Sequence, residues 1–194
     1  MENLSNLESG MNKAYRAVRG MLICLLLTWV PSLKLFAALG ILAFFVFHII
    51  GLYEAGKDIE GCRKAFILSV VSVIMAILSV SPLGIIRIFA TLVRCGTEFL
   101  AVYLVCTSVS EVTDRIGAAD VRREGVMSWQ VNAVCYGLTA LCSLLGGILY
   151  MGAFAMLTTI AIMLIPLVAK VFYMLFLRVC DQALNGGRKK QETD

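Results

Sequence analysis

The apolar residues of this chain come in blocks that are too long for the core of a soluble protein. A helix needs about 20 mostly apolar residues to cross the hydrocarbon layer of a bilayer. Four stretches reach that length and two shorter ones approach it, in 194 residues of which 60% are hydrophobic. We therefore predict an all-α fold, a polytopic membrane helical bundle of six transmembrane helices. The predicted spans are 17–30, 33–53, 65–80, 83–108, 130–150 and 152–177.

Basic residues collect on one side of these spans. Of 17 Lys and Arg, 13 lie before or at the opening of the first span, in the connections 54–64 and 109–128, or after the last span. Only Lys34 and Arg87 lie on the other side. Because basic loops stay in the cytoplasm, we expect a multi-pass plasma-membrane protein with its N-terminus and C-terminus in the cytoplasm. The positive net charge is then a topology signal, and we predict no nucleic-acid partner.

The even-numbered spans begin with similar sequences. Each opens on a Phe-Ala-x-Leu string, at Phe36, Phe89 and Phe154. The spacing fits a hairpin of two spans followed by a cytoplasmic connection, so we predict three hairpins as internal repeats. The single membrane domain 1–194 then divides into a cytoplasmic or interfacial N-terminal helix (1–16), hairpins at 17–64, 65–128 and 129–187, and a disordered tail (188–194).

The N-terminal residues have one apolar helical face. Leu4, Leu7, Met11, Tyr15 and Val18 recur at spacings of three and four residues, as on one side of a helix. This pattern predicts a helix that lies on the membrane surface and leads into the first span. A disordered polar tail is the alternative, because chain termini are often poorly ordered.

One segment of the chain resembles a known group of proteins. The string GLYEAGKD at 51–58, followed by Gly61 and by KAF at 64–66, is similar to a segment of small uncharacterised multi-pass membrane proteins of Gram-positive bacteria. The resemblance covers spans two and three with the loop between them. It implies a bacterial membrane and carries no activity with it.

Charged residues inside the predicted spans indicate where a site could lie, because a charge within a bilayer is costly and marks a function by default. Arg87, Arg94 and Glu98 fall on one face of the fourth span, and Glu98 is the only acid within any predicted span. Lys170, in the antiparallel sixth span, lies at a similar depth, about 12 Å from the cytoplasmic end. The sequence therefore allows an Arg94–Glu98 or a Glu98–Lys170 ion pair.

The fifth span adds a polar stripe that includes Tyr136 and Thr139. With Arg94, Glu98 and Lys170, these residues predict a ligand or ion site between spans four, five and six, and a role in handling a small solute or ion. The alternative is a non-catalytic accessory or scaffold protein, which docks a partner through its cytoplasmic loops and uses the charges as internal struts. We expect the chain to lie in the lipid bilayer and to associate with a second copy of itself or with another membrane protein.

No motif in the chain predicts a reaction. The sequence has no GxSxG, no HExxH and no Gly-rich phosphate loop, the patterns that carry common chemistries. The seven cysteines include no CxxC pair, and we interpret them as small apolar packing residues. His48 is typical of a packed or interfacial histidine, and no third group completes a pair with Cys62. We predict no catalytic residue, no metal ligand and no cofactor, with an enzyme acting on lipids as a third alternative.

Overall fold

Six α-helices form the described part of the chain. The computed structural model describes residues 4–81, 83–115, 118–148 and 152–191, and these ranges contain no β-strand. A short 3-10 turn, Pro31–Leu33, precedes the second helix. The all-α class predicted from the sequence is therefore confirmed. The helices are α1 (Ser5–Leu27), α2 (Lys34–Ala55), α3 (Glu60–Leu78), α4 (Gly84–Arg115), α5 (Ala119–Ile148) and α6 (Gly152–Gln191).

Three segments of this chain are long and apolar enough to cross a membrane. Among the described residues these are Pro31–Ala55, Glu60–Leu78 and Gly84–Arg115. A helix satisfies its backbone hydrogen bonds internally, which is the condition for spanning a hydrocarbon layer. The finding supports the predicted membrane class of the chain.

The helices are arranged in a closed ring. Each helix packs against the next one along the chain, and α6 returns to pack against α1. The most extensive contacts join α1 to α2, α3 to α4 and α5 to α6, and α4 also approaches α6. Side chains on the inner faces of several helices can therefore meet at the centre of the ring.

The dense part of the core lies where α1 begins and α6 ends, which we call the terminal end. Every helix contributes to it, and its side chains are removed from solvent almost completely. Close van der Waals packing of this kind is one of the forces that hold helices together in a membrane. The buried side chains there include Leu7, Met11, Leu52, Cys62, Val105, Val109, Val121 and Phe176.

Toward the opposite end of the ring, the described residues of α2, α3 and α4 are mostly exposed or partly buried, and we call this side of the ring the open half. In the first half of α2 only Ala37 is buried, and α3 has no buried residue after Ser72. In α4, Ala90 is the one buried residue before Arg94. In α2, α3 and α4 the buried residues are therefore concentrated toward the terminal end.

Two glycines let α1 and α2 approach each other closely at the terminal end. A Cβ added to Gly10 would lie 2.5 Å from the carbonyl oxygen of Gly51, and a Cβ added to Gly51 would lie 2.7 Å from the carbonyl oxygen of Gly10. Small residues allow this kind of backbone contact between membrane helices. The two glycines thus set the crossing point of α1 and α2.

The N-terminal segment differs from the predicted surface helix. α1 is one continuous helix from Ser5, and its first half packs within the ring. Leu7, Met11 and Val18, three residues of the predicted apolar face, are fully buried. The face was identified correctly, but α2 and α6 cover it instead of a bilayer surface, because the polar connection after α2 offers acceptors for the start of α1. Asp58 accepts hydrogen bonds from the Asn6 amide at 3.0 Å and from the backbone N–H of Leu7 at 2.8 Å.

Two helices run further than the predicted spans. α4 continues to Arg115 and α5 begins at Ala119, so most of the predicted connection 109–128 is helical. Charge pairs occur on these extensions: Arg115 pairs with Glu111 one turn before it at 3.1 Å, and Arg122 of α5 pairs with Asp114 of α4 at 3.2 Å. A pair separated by four residues, such as Glu111 and Arg115, supports a helix in water.

Other predicted boundaries shift by a few residues. α5 ends at Ile148, close to the predicted end of the fifth span at 150, and α6 continues to Gln191, beyond the predicted start of the tail at 188. The α5–α6 connection at 149–151, Pro82, the end of the tail and the side chains of the third Phe-Ala-x-Leu string lie outside the described residues.

Candidate functional site

Glu98 lies in the middle of α4 and is contacted by side chains from three other helices. The Tyr136 hydroxyl, from α5, donates a hydrogen bond to its Oε2 at 2.7 Å. The Ser72 hydroxyl, from α3, donates to its Oε1 at 3.2 Å. Hydrogen bonds to a charged acceptor are stronger than those between neutral groups. The Glu98 carboxylate therefore joins α3, α4 and α5 at the centre of the ring.

Two cationic side chains complete the surroundings of this carboxylate. Arg94 Nε lies 3.6 Å from Glu98 Oε1, and Lys170 Nζ, from α6, lies 3.6 Å from Oε2. These are ion-pair distances, but they exceed the usual reach of a hydrogen bond. Both ion pairs that the sequence allows are thus present together. We call the group Ser72, Arg94, Glu98, Tyr136 and Lys170 the Glu98 cluster.

The charges of the Glu98 cluster do not balance. Two cations face one carboxylate, and within the described part of the chain neither Arg94 nor Lys170 pairs with a second acid. The 3.6 Å separations also leave the N–H groups of both cations without a direct hydrogen bond to Glu98. The cluster therefore has one more positive than negative charge, and its cations have N–H groups that do not bond to Glu98.

The Glu98 cluster is also only partly enclosed by packing. The side chains of Glu98, Lys170 and Arg94 are 21%, 27% and 32% exposed, whereas Tyr136 is buried. The cluster lies where the dense core of the terminal end gives way to the open half, since Ser72 is the last buried residue of α3. The charged side chains of the cluster are therefore not fully covered by other parts of the protein.

Further buried polar side chains lie near Lys170. His48 packs edge-on against the ring of Tyr173, with 5.8 Å between the ring centroids, and Tyr173 follows Lys170 by one turn of α6. Among the described residues no hydrogen-bond partner is found for His48 Nδ1. The Asn132 amide donates to the carbonyl oxygen of Ala169 at 3.2 Å, which ties α5 to α6 just before Lys170.

Four of the five residues predicted as a site meet in the structure. Arg94, Glu98, Tyr136 and Lys170 all belong to the Glu98 cluster. Thr139 does not: it is buried, and its hydroxyl donates to the carbonyl oxygen of Cys135 at 2.8 Å. A threonine inside a helix commonly bonds to its own backbone four residues earlier, which removes its donor from the site.

Two polar side chains near the centre, Ser72 and His48, were not predicted from the sequence as part of the site. Ser72 donates to Glu98, and the signal for it is the spacing of Ser69 and Ser72, which lie three residues apart on an otherwise apolar helix and are both buried. His48 is packed, which is one of the two environments expected for it, but no pattern in the sequence predicts its contact with α6. Its neighbour Tyr173 lies 125 residues further along the chain.

The arrangement can hold helices together or bind a small charged group. It contains a carboxylate, two cations and two hydroxyl groups, and both hydroxyl groups donate hydrogen bonds to the carboxylate. In the part of the chain that the structure describes, no group of three or more His, Cys, Asp or Glu side chains could hold a metal ion.

Comparisons with known proteins do not add to this description. No protein-family model, no curated protein and no solved structure matches the chain. The resemblance of the segment 51–66 to multi-pass membrane proteins of Gram-positive bacteria stays a prediction.

Proposed function

We propose that this chain is a bacterial plasma-membrane protein that spans the bilayer six times as three repeated hairpins. Both termini lie in the cytoplasm, so the terminal end faces the cytoplasm and the open half faces outward. The extensive pairing of α1 with α2, α3 with α4 and α5 with α6 supports the hairpins. The concentration of basic residues at the terminal end supports the orientation.

The solute-handling role of this protein is the binding of a small anion at the Glu98 cluster. The observation that carries this proposal is the presence of two cations around one carboxylate at the centre of the ring. An uncompensated charge inside a membrane protein costs several kcal/mol, on the order of a buried unpaired ion. An anion bound between Arg94 and Lys170 would remove that cost.

The geometry of the donors favours an anion with more than one oxygen. The Arg94 guanidinium is planar and offers paired N–H groups that match a carboxylate or phosphate. The Lys170 ammonium adds a point charge from the neighbouring helix. Glu98 holds both cations in place and excludes a second negative charge from its own side of the site, so the anion approaches from the open half.

The proposal is tested by ligand-dependent stabilisation of the full chain in nanodiscs. Thermal unfolding is measured at constant ionic strength with sodium chloride, phosphate, acetate or succinate against a HEPES reference. A ligand that binds only the folded state raises the midpoint, by about 2.7 kcal/mol of stabilisation at one hundred times its dissociation constant. We expect at least one of these anions to raise the Tm, and Lys170→Met to abolish the increase.

Arg87→Gln is the matched control for this experiment. Arg87 lies on the same helix as Arg94 and is exposed, so its removal lowers the charge of α4 without touching the cluster. The proposal is rejected if none of the four anions raises the Tm of the wild type, or if Arg87→Gln removes the increase as completely as Lys170→Met.

A scaffold role is the second candidate, and one observation favours it. Donors or cations from α3, α4, α5 and α6 converge on the same carboxylate, which is the arrangement of an internal strut. In that case Glu98→Gln should lower stability with no change in anion response, since there is no response to lose. If the cluster binds an anion, Glu98→Gln should instead fold and change the affinity for that anion.

A further inference from the structure

A groove between α1 and α6 combines a basic end with an apolar wall. Its volume is about 640 Å³. Tyr15 and Arg19 of α1 and Arg178 of α6 supply its polar lining. The rest of the wall is apolar and comes from both helices, with Leu22, Ile23 and Leu26 on one side and Leu167, Val171 and Met174 on the other.

The directions of the two helices bring the polar residues together. α1 runs away from the terminal end, so Arg19 lies closer to that end than the apolar groove residues of α1. α6 runs toward the terminal end, so Arg178 also lies closer to it than the apolar groove residues of α6. Both guanidinium groups therefore lie at the terminal end of the groove. At 1.5 Å per residue, the apolar wall extends about 10 Å beyond Arg19 on α1 and about 16 Å beyond Arg178 on α6.

The charges of these two arginines are available to a ligand. Both side chains are exposed, and among the described residues neither forms a salt bridge. The walls of the groove are tied together nearby, because the Asn12 amide donates to the Asp181 carboxylate at 2.8 Å and so joins α1 to α6. Within the part of the chain that the structure describes, the groove thus places two cations without a salt bridge next to a long apolar surface.

We propose that this groove binds one anionic phospholipid, with the lipid phosphate between Arg19 and Arg178 and an acyl chain along the apolar wall. Guanidinium groups bind phosphate oxygens in a paired geometry, and basic pockets between membrane helices at the cytoplasmic boundary suit anionic headgroups. A soluble phosphate would use the arginines but leave the apolar wall uncovered. The inference rests on the membrane placement proposed above and is independent of anion binding at the Glu98 cluster.

The test compares three probes on the full chain purified in a nonionic detergent. Dioleoyl phosphatidylglycerol, dioleoyl phosphatidylcholine or inorganic phosphate is added, thermal unfolding is measured, and retained lipid is counted by native mass spectrometry. We expect one phosphatidylglycerol molecule to be retained and to raise the Tm, with smaller effects of phosphatidylcholine and of phosphate.

The variants separate the groove from general surface charge. Arg19→Gln with Arg178→Gln should weaken phosphatidylglycerol binding by at least about tenfold, given the contribution of each basic residue to anionic lipid binding. Arg63→Gln with Arg123→Gln is the control, because it removes two exposed arginines outside the groove and should leave the affinity within about twofold. Val171→Trp, which fills the apolar wall without changing charge, should also displace the lipid.

Three results would overturn the inference. These are an equal loss of affinity in the control pair, an equal Tm increase with inorganic phosphate alone, and retention of phosphatidylcholine as firmly as phosphatidylglycerol. Failure of the membrane placement itself is detected separately, because the chain would then be released from membranes by alkaline carbonate.

Discussion

Tyr136 makes the shortest contact of the Glu98 cluster, and its hydroxyl is buried with the carboxylate as its partner. Because this hydrogen bond joins α5 to α4, its removal should weaken the ring as well as the site. Tyr103 offers a matched comparison on α4: its ring packs against Trp129 and Phe99, and Tyr103→Phe keeps those ring contacts.

We expect Tyr136→Phe to lower the free energy of unfolding by about 1–2 kcal/mol, because the variant leaves one Glu98 oxygen without its donor. Tyr103→Phe should change it by less than about 0.5 kcal/mol. Both are measured by unfolding in mixed detergent micelles with increasing SDS. Equal effects of the two substitutions would show that the Tyr136–Glu98 hydrogen bond carries no stability.

Gly10 allows a test of the close approach between α1 and α2. A Cβ at Gly10 would collide with the backbone of Gly51 and Ala55, whereas a Cβ at Gly96 would meet nothing within 4 Å. Gly10→Ala should therefore cost about 1–3 kcal/mol through overpacking. Gly96→Ala should be neutral or stabilising by up to about 1 kcal/mol, because alanine is the better helix former. A destabilisation of similar size in both, measured by the same SDS unfolding, would contradict the close approach of α1 and α2.

At the scale of elements, the first half of α1 is held by polar contacts with other helices and their connections. Asp58 caps its start through Asn6 and Leu7, while the Glu54 carboxylate accepts from Ser9 at 3.1 Å and pairs with Lys13 at 2.5 Å. A carboxylate at a helix N-terminus satisfies free N–H groups and is favoured by the helix dipole. These contacts explain why a segment with several charged residues packs into the ring.

Asp58→Ala should loosen the start of α1 while the other helices keep their protection. Loss of an N-terminal cap costs about 0.5–2 kcal/mol, so amide hydrogen exchange should accelerate by about twofold to thirtyfold over the first two turns of α1. Asp120→Ala, an exposed acid in the first turn of α5, is the control and should leave α1 unchanged. Unaltered exchange in α1 of the Asp58 variant would show that the cap is dispensable.

At the scale of the whole molecule, the ring has one dense end and one open half. Most of the largest buried apolar cluster belongs to the terminal end, and the Glu98 cluster lies at the boundary between the two. Because the buried residues of α2, α3 and α4 lie toward the terminal end, we expect a ligand to reach the cluster from the open half. In the proposed orientation, that access is from outside the cell.

The orientation predicts a simple pattern of reporter activity. Green fluorescent protein fused after the last residue should fluoresce, and alkaline phosphatase at the same place should be inactive, because this end lies in the cytoplasm. Alkaline phosphatase inserted after Ser81, at the opposite end of α3, should be active. Phosphatase inserted after Gly56 is the control and should be inactive. The opposite pattern at Ser81 and Gly56 would reverse the orientation and with it the access route to the Glu98 cluster.

Features that depend on one helix at a time could be predicted from the sequence. The all-α class follows from the length of the apolar blocks. The Glu111–Arg115 and Arg94–Glu98 pairs follow from a separation of four residues, which places two side chains on one helical face. The buried face of α1 at Leu7 and Met11 follows from the same periodicity.

Features that depend on how helices are rotated and crossed were decided by the tertiary structure. In the tertiary structure Ser72 donates to Glu98, whereas Thr139 bonds to its own helix. His48 packs against Tyr173, and α2 and α6 pack over the start of α1. Helical periodicity is a local property of the backbone and can be read from spacing alone. Contacts between helices depend on the close packing of all six at once, including the backbone contact at Gly10, and no local pattern encodes that.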